Sequence, residues 1–420
     1  MTEYEERNDG EPGRQAANHD YADLLWRDDA VAHVLDLRTS LLSHLDTESV
    51  PIEDLAGRVL AESIDAPADV PAHDHATMDG FAFNPTDGYP LSVRDGEVFP
   101  EDDPPELDTG EAIRIATGAP LPERATAVLK REDATVEGSQ LQGPPLEPGT
   151  YVYEQGSNLA AGETLFEAGE RLSAKDAILL GDLGFNSVSV RERLSVGVLA
   201  TGTEIHEGRM ADLDSPMLIG LIRSWGHDAH DEASEPDEYD RVVSGIERAA
   251  SEHDVVVTTG GTSVGHKDHV IRALDSLGEV LFHRVRLRPG KPIAVASLPA
   301  HDAVALAIPG KPVGAHVVMT LVGRPLFTGE QALSTVEVTI TRDVGLGTEG
   351  FEYAVPVTLE EGRAMPLGHA DSSLSVYEDT FDPSVLSSST RATRADGIVI
   401  TTTDLTAGES VDVVPFSVLE

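Results

Sequence analysis

The sequence predicts a multidomain α/β plus β fold. A central α/β domain with a mostly parallel sheet is flanked by a small β domain, a mixed helical linker domain and a C-terminal β-barrel domain. Three observations carry this. The 420 residues suffice for about two to four domains at roughly 100–200 residues each. After Leu194, buried-strand patterns alternate with helical ones, which implies parallel strands joined by right-handed crossovers. On either side, residues 66–150 and 331–420 break into short alternating runs separated by glycine, proline and acidic loops, as in all-β domains.

Taken in order, residues 1–20 lack apolar periodicity and read as a disordered acidic tail. Residues 21–65 read as N-terminal helices. Leu24, Leu25, Val31, Val34, Leu35, Leu41 and Leu42 fit one or two amphipathic helices, and Ile52–Val59 is a second apolar-periodic stretch. Residues 66–150 form the β domain, with strand runs such as Ala112–Ile115 and Ala127–Lys130. Residues 151–193, joined with about 47–65, form the linker, with a helix around Ala174–Leu183 stopped by Gly184. The α/β domain covers 194–330. SVGVLATG and HDVVVTTGG are buried strands running into glycine turns, Ser215–Trp225 and His269–Leu277 are helical, and PIAVASL and AVALAIPG are further strands. In 331–420 the runs VEVTITR, YAVPVTL, GIVITTT and SVDVVPF read as barrel strands.

Composition narrows the function. With 30 basic and 74 acidic residues the formal charge is −44, and there is no cysteine, which excludes disulfides, thiolate metal sites, iron–sulfur clusters and cysteine nucleophiles. The acid excess is spread along the chain, and only five of the 30 basic residues are lysine. Such a surface suits a halophilic cytoplasm, where salt screens the self-repulsion. No basic stripe exists to release counterions from nucleic acid. No apolar run approaches the ~18 residues of a membrane span, and the N-terminus lacks the apolar core of a signal peptide.

Ligands of open parallel sheets sit beyond the carboxyl ends of the strands. Two such ends carry suggestive residues: Thr201-Gly202-Thr203-Glu204, and Gly260-Gly261-Thr262-Ser263-Val264-Gly265 followed by His266-Lys267-Asp268. Glycines let the backbone approach a ligand, successive N–H groups can nest a phosphate, and the Thr262 and Ser263 hydroxyls add donors. Tight turns use glycine for geometry alone, and neither segment has Walker or GxGxxG spacing. Glu204 and Asp268, at equivalent places beyond two strands, suit a divalent ion bridging phosphate oxygens. Three of the five lysines (Lys267, Lys291 and Lys311) sit in glycine-rich segments, two of them in the repeated Pro-Gly-Lys-Pro at 289–292 and 309–312. Retaining lysine there, in a chain that avoids it, points to an oxyanion contact. His73 and His75 lie two apart beside Asp74 and Asp79 but lack an obvious third ligand.

These segments, in this order, resemble the molybdopterin molybdenumtransferase family, which includes MoeA and the E domain of gephyrin. The matching stretches are DVPAHDHATMDGFAF, RIATGAPLPERATAVLKRED, VGVLATGTEI, DSPMLIGLI, VVVTTGGTSVGHKD, LGEVLFHRVRLRPGKPIAVA and LAIPGKPVGA, with a weaker match at ATRADGIVI. The resemblance covers about residues 45–420 and implies a four-domain homodimer with the active site between protomers. It also implies that the central domain binds molybdopterin. The implied reaction inserts molybdate into adenylylated molybdopterin and releases AMP with Mg²⁺ assistance in the cytoplasm, in contact with other proteins of the same pathway. Residue by residue, it assigns catalytic roles to Asp79, Thr117, Glu204, Glu238 and Asp268, with Glu204 and Asp268 as metal ligands. It assigns binding roles to Thr201, Gly202, Gly260, Gly261, Thr262, Ser263, Gly265, Lys267, Arg288, Lys291, Pro309, Lys311 and Pro312.

The chain departs from the family at several points. A family Arg-Arg-Arg-Gly-Glu-Asp segment is replaced by Tyr153-Glu154-Gln155-Gly156-Ser157-Asn158, Asp-Ser-Asn by Asp212-Leu213-Asp214, and Pro-Gly-Asn-Pro by Pro309-Gly310-Lys311-Pro312. The usual lysine before Pro-Gly-Lys is Arg288, and the family aspartate assigned to Glu238 falls there across a gap. Lys311 offers a cation that compensates for the lost arginines. The alternatives are a diverged paralogue using tungstate, and a non-catalytic molybdopterin-binding or scaffold protein.

Overall fold

The computed structural model describes residues 24–261 and 269–420. The segment 1–20, expected to be a disordered acidic tail, lies outside them. The chain divides into two units, one formed by Ser49–Val190 and the other by the residues up to Glu48 together with Arg191–Glu420.

Within Ser49–Val190, a six-stranded sheet comprises β1 (Gly80–Phe83), β2 (Leu91–Val98), β3 (Glu111–Ile115), β4 (Ala127–Lys130), β5 (Thr135–Glu137) and β6 (Gln140–Gln142). Their order is β4-β1-β3-β2-β6-β5. All of β1 is buried because both faces are covered. Ala82 packs with Ile113, Ile115 and Val128, while Phe81 and Phe83 pack with Leu91, Leu129 and Leu141 on the other side. That division follows the two-residue alternation of a strand. The rest of the unit joins the two flanks of this sheet. Ile64–Asp65 pairs with Thr164–Phe166, and Leu55, Leu60, Phe166, Leu172, Leu180 and Val190 share one core. The helix expected near Ala174–Leu183 spans Asp176–Asp182 and runs into Gly184 at φ 84°.

One helix, α1 (Arg27–His44), accounts for the periodicity before Leu45. Ile52–Val59 forms only a 3-10 turn at Ile52–Asp54, between Pro51 and Gly57 at φ 81°. Both residues interrupt helical backbone.

The second unit contains β7 (Ser195–Thr201), α2 (Asp214–Ser224), β8 (Asp228–Glu235), α3 (Tyr239–Glu252), β9 (Val255–Thr259) and α4 (His269–Leu277). There follow β10 (Glu279–His283), β11 (Leu287–Arg288), β12 (Ala294–Leu298), β13 (Ala303–Ile308) and α5 (Pro312–Val318). The sheet runs β8-β7-β9-β13-β12-β10. β8, β7, β9 and β13 are parallel, and β12 is antiparallel to both β13 and β10. The sheet is therefore mixed at one side, because β12 and β13 are joined by a short turn with no crossover helix. Val196, Val198, Val255 and Val257 face one core and Leu199 and Val256 the other. Burial on both faces explains the unbroken apolar runs. The polar run Asp228–Glu235 gave no strand signal because β8 is an edge strand with exposed positions.

Beyond α5, β14 (Val336–Ile340), β15 (Glu352–Glu360), β16 (Arg363–Pro366), β17 (Gly397–Thr401) and β18 (Ser410–Pro415) form a ring. Their order β15-β16-β14-β18-β17 is closed by β17 pairing back to β15. β11 adds to this barrel alongside β15, with Leu287 opposite Glu352 and Arg288 opposite Tyr353. That pairing anchors the first Pro-Gly-Lys-Pro segment against the barrel.

Candidate functional site

The carboxyl ends of β7, β9 and β13 are neighbours, since Ala200 pairs with Thr259 and Thr259 with Ile308. Their turns meet backbone to backbone. A Cβ on Gly260 would lie 2.4 Å from the Thr201 carbonyl oxygen, and one on Gly310 would lie 3.0 Å from the Gly260 Cα. At Gly260 no other residue type permits that approach. The buried Thr201 hydroxyl donates to the Thr259 carbonyl at 3.1 Å.

This geometry corrects one expectation. The Gly202 N–H donates to the Glu235 carbonyl at 3.0 Å and the Gly260 N–H to the Ile308 carbonyl at 3.1 Å. Neither amide is bare. These glycines bring strand ends together, and their own N–H groups are taken up by the neighbouring strands. Gly261 follows at φ 63°. Thr262, Ser263, Gly265, Lys267 and Asp268 lie outside the described residues.

Around the same strand ends sit three carboxylates. Glu204 is exposed in the short helix Thr203–His206, directly after β7. Among the described residues no hydrogen bond or ion pair engages its carboxylate. Asp214, the first residue of α2, is 7% exposed and accepts a hydrogen bond from the Thr259 hydroxyl at 3.0 Å. Its other carboxylate oxygen, Oδ1, is buried with no partner among the described residues. Burial pushes its carboxyl above the ordinary value, opposed by the Thr259 hydroxyl and reinforced by the Asp212 charge. Asp237, after β8, likewise receives no hydrogen bond on its buried Oδ1 among the described residues, and its N–H donates to the Thr203 hydroxyl at 3.1 Å. Glu238, the residue picked out in the sequence, is exposed beside it and caps α3 without a side-chain bond. These are hard oxygen donors of the kind Mg²⁺ takes, although among the described residues Glu204, Asp214 and Asp237 do not converge into one three-ligand group. In a chain with 74 acidic residues, only burial distinguishes Asp214 and Asp237.

The cations gather elsewhere on the unit. Arg288, Lys291 and Lys311 line one cavity of about 320 Å³ together with Pro289, Pro309, Gly314 and Ser384. The Arg288 guanidinium lies 4.1 Å over the Phe351 ring and its Nη1 approaches the Thr348 hydroxyl at 3.4 Å. The Lys291 ammonium lies 5.9 Å from the same ring. Lys311 Nζ donates to the Ser384 carbonyl at 3.3 Å. Pro312 opens α5 at its first turn, where a missing N–H costs nothing. Three cations around one cavity reverse the charge sign of the chain as a whole.

Asp79 and Thr117 lie in the other unit and bind each other. The Thr117 N–H and hydroxyl donate to Asp79 Oδ1 at 2.8 and 2.7 Å. These two bonds, the backbone one foremost, hold the Asp79 carboxyl below its ordinary value. The Tyr153-Glu154-Gln155 segment, where the family carries arginines, is pinned without a cation. The Gln155 N–H donates to Asp74 at 2.7 Å and its side-chain amide to Asp69 at 2.9 Å. His75 sits in a strand pair opposite Tyr153. Neither His73 nor His75 belongs to a three-ligand cluster among the described residues.

Comparison with known proteins gives the following matches. Residues 27–184 match a family model described as MoeA N-terminal region (domain I and II), and residues 197–329 match one described as "Probable molybdopterin binding domain". The chain is 32% identical over 303 residues to the molybdopterin molybdenumtransferase of Synechococcus elongatus, covering 67% of this chain and 75% of that one. With the enzyme of the same name from Haemophilus influenzae it shares 31% over 310 residues, 69% and 75% of the respective chains. A crystal structure of the molybdopterin biosynthesis MoeA protein from Pyrococcus horikoshii superposes with TM-score 0.69 and 29% identity, over 94% of this chain and 99% of that one.

Proposed function

The chain belongs to the MoeA family and is a transferase of molybdenum cofactor biosynthesis, and from that premise we propose that it inserts molybdate into adenylylated molybdopterin and releases AMP. The observation that carries the residue-level reading is the cavity framed by Arg288, Lys291 and Lys311. Both the incoming oxyanion and the phosphorylated pterin are anions. Two lysines and an arginine, one stacked on Phe351 and one tied to a carbonyl, present preorganised charge to them.

Glu204 and Asp268 are the residues that would hold Mg²⁺ in this reading, with Asp214 and Asp237 as further oxygen donors at the same strand ends. When bound there, the ion neutralises charge on phosphate oxygens. Asp214 and Asp237 supply oxygens that have no other partner among the described residues, and the Thr259 hydroxyl orients Asp214. Asp237 rather than Glu238 fits the family aspartate in this reading. Asp79, oriented by Thr117, joins the site from a second copy of the chain in a homodimer. The domain limits 66–150, 194–330 and 331–420 and an acidic surface adapted to a high-salt cytoplasm belong to the same reading.

The test is AMP release by the purified full chain at high ionic strength, supplied with adenylylated molybdopterin, molybdate and Mg²⁺. The expected result is stoichiometric AMP and metallated cofactor, falling about a hundredfold or more in Glu204→Ala. Full AMP release by Glu204→Ala would sink the catalytic assignment. The arginine-rich segment replaced by Tyr153–Gln155 favours one second reading, a paralogue that handles tungstate. Faster AMP release with tungstate than with molybdate would select it.

A further inference from the structure

The opposite ends of the same strands carry a cluster that the transferase reading does not use. His253, between α3 and β9, is 9% exposed at its side chain, and its Nε2 lies 2.9 Å from Glu232 Oε1 of β8. Glu252, the exposed last residue of α3, completes a group whose three ligand atoms all lie within 4.8 Å of one another. His230, opposite Gly197 in the strand register, stacks on the His253 ring at 5.3 Å and 18°.

Two independent features show that the strand is shaped around this imidazole. Gly197 interrupts a run of valine and leucine in β7, and a Cβ there would lie 2.6 Å from His253 Cδ2 and 3.0 Å from Glu232 Cγ. A glycine inside a buried strand marks such a close approach. The far nitrogen is also fixed, since His253 Nδ1 lies 2.7 Å from the Ser195 hydroxyl. Without a metal, Nε2–H donates to Glu232 Oε1 and Nδ1 accepts from the Ser195 hydroxyl; with a cation in place, Nδ1–H would donate to Ser195 and leave the Nε2 lone pair for the metal. This is the arrangement by which a metal-ligating histidine is oriented through its second nitrogen.

We propose that His253 Nε2, Glu232 and Glu252 form a second cation site, for a borderline divalent metal of the Zn²⁺ class, near the amino ends of β7 and β9. The imidazole disfavours Mg²⁺ and Ca²⁺, and one nitrogen with two carboxylates suits Zn²⁺ or Co²⁺ with a water in the remaining position. The exposed Glu252 side chain closes the last gap to coordination distance. Ser195 and Thr201 stand six residues apart on one strand, about 20 Å, so this metal is remote from the glycine turns and braces α3 against β7, β8 and β9.

The experiment is calorimetric titration of the chelator-stripped full chain with Zn²⁺, and optical titration with Co²⁺. Both are run at high ionic strength so that loose binding to surface carboxylates is screened. The expected result is one equivalent bound, a Co²⁺ spectrum of low coordination number, and a Zn²⁺-dependent rise in Tm. Glu252→Gln, an exposed change that leaves the fold intact, and His253→Gln should each weaken Zn²⁺ binding at least tenfold and remove the Tm rise. If Glu252→Gln binds Zn²⁺ like the unaltered chain, or if the unaltered chain shows only loose multi-site binding, the proposal is overturned. The readout is metal binding and not AMP release, so the result is independent of the transferase reading.

Discussion

The tetrapeptide Pro-Gly-Lys-Pro occurs twice in the second unit, and the two copies fold differently. At 289–292 it leaves β11 and leads into β12, and Gly290 adopts φ 114°, with Val318 Cβ 3.0 Å from where its own Cβ would be. At 309–312 it leaves β13 and enters α5, with Lys311 extended at φ −126° as the cap and Pro312 in the first turn. Gly310 has no left-handed backbone; it is glycine because the Gly260 Cα occupies the space beside it. Both copies nonetheless send a lysine to the same cavity. The pair teaches that a short motif specifies which side chain is delivered, whereas the flanking elements specify the backbone that delivers it.

Substitutions at the two glycines test that contrast most severely. Gly290→Ala combines a disallowed φ with crowding against Val318, so a loss of about 2–4 kcal/mol in denaturant-measured stability is expected. Gly310→Ala has crowding alone and should cost about 1–3 kcal/mol, while separating the β9 and β13 turns and lowering AMP release. Equal losses at the two positions would mean that backbone strain plays no part in the first copy.

Removing the cations comes next. Lys291→Gln and Lys311→Gln should each weaken the charge-assisted hold on an oxyanion by about 1.5–3 kcal/mol, roughly ten- to a hundredfold in KM for molybdate. A variant with unchanged KM would show that only one copy serves the cavity. Phe351→Leu should affect the first copy selectively. It removes the ring beneath Arg288 and Lys291, each contact being worth about 0.5–1 kcal/mol, and leaves the contact between Lys311 and Ser384 intact.

The smallest effect concerns the helix that follows the second copy. His316 of α5 lies 2.8 Å from Glu420, and this hydrogen bond holds the Glu420 carboxyl below its ordinary value of 4.5. A depressed carboxyl contributes stability above the unfolded value, and loses it as pH falls through the folded one. Acidification below pH 4.5 should therefore loosen α5 by a few tenths of a kcal/mol, given that Glu420 is 50% exposed. Amide exchange along α5 should rise in that window, and Glu420→Gln should remove the dependence.

How far the sequence carried depended on whether the signal was local. The buried strands β7, β9 and β13 announce themselves as apolar runs ending in glycine. The α2 and α4 helices were legible within a residue, because helical periodicity and stop signals lie within about ten residues. The edge strand β8 was not, since one side faces no partner and its residues are polar. Among site residues, Lys291 and Lys311 stood out because lysine is scarce here. Asp214 and Asp237 could not stand out, because nothing in an acid-rich sequence tells a buried carboxylate from a solvated one.

By itself the sequence determined the order of α/β and β segments, the glycine turns at the strand ends and the two lysine-bearing tetrapeptides, all consequences of backbone preferences acting over a few residues. The tertiary structure alone decided that Gly202 and Gly260 give their amides to neighbouring strands, that Asp214 and Asp237 each keep a buried carboxylate oxygen with no hydrogen bond among the described residues, and that Arg288, Lys291 and Lys311 meet in one cavity. Hydrogen-bond satisfaction and burial depend on which strand lies beside which, and residues far apart in the chain become neighbours only when the sheet and barrel close.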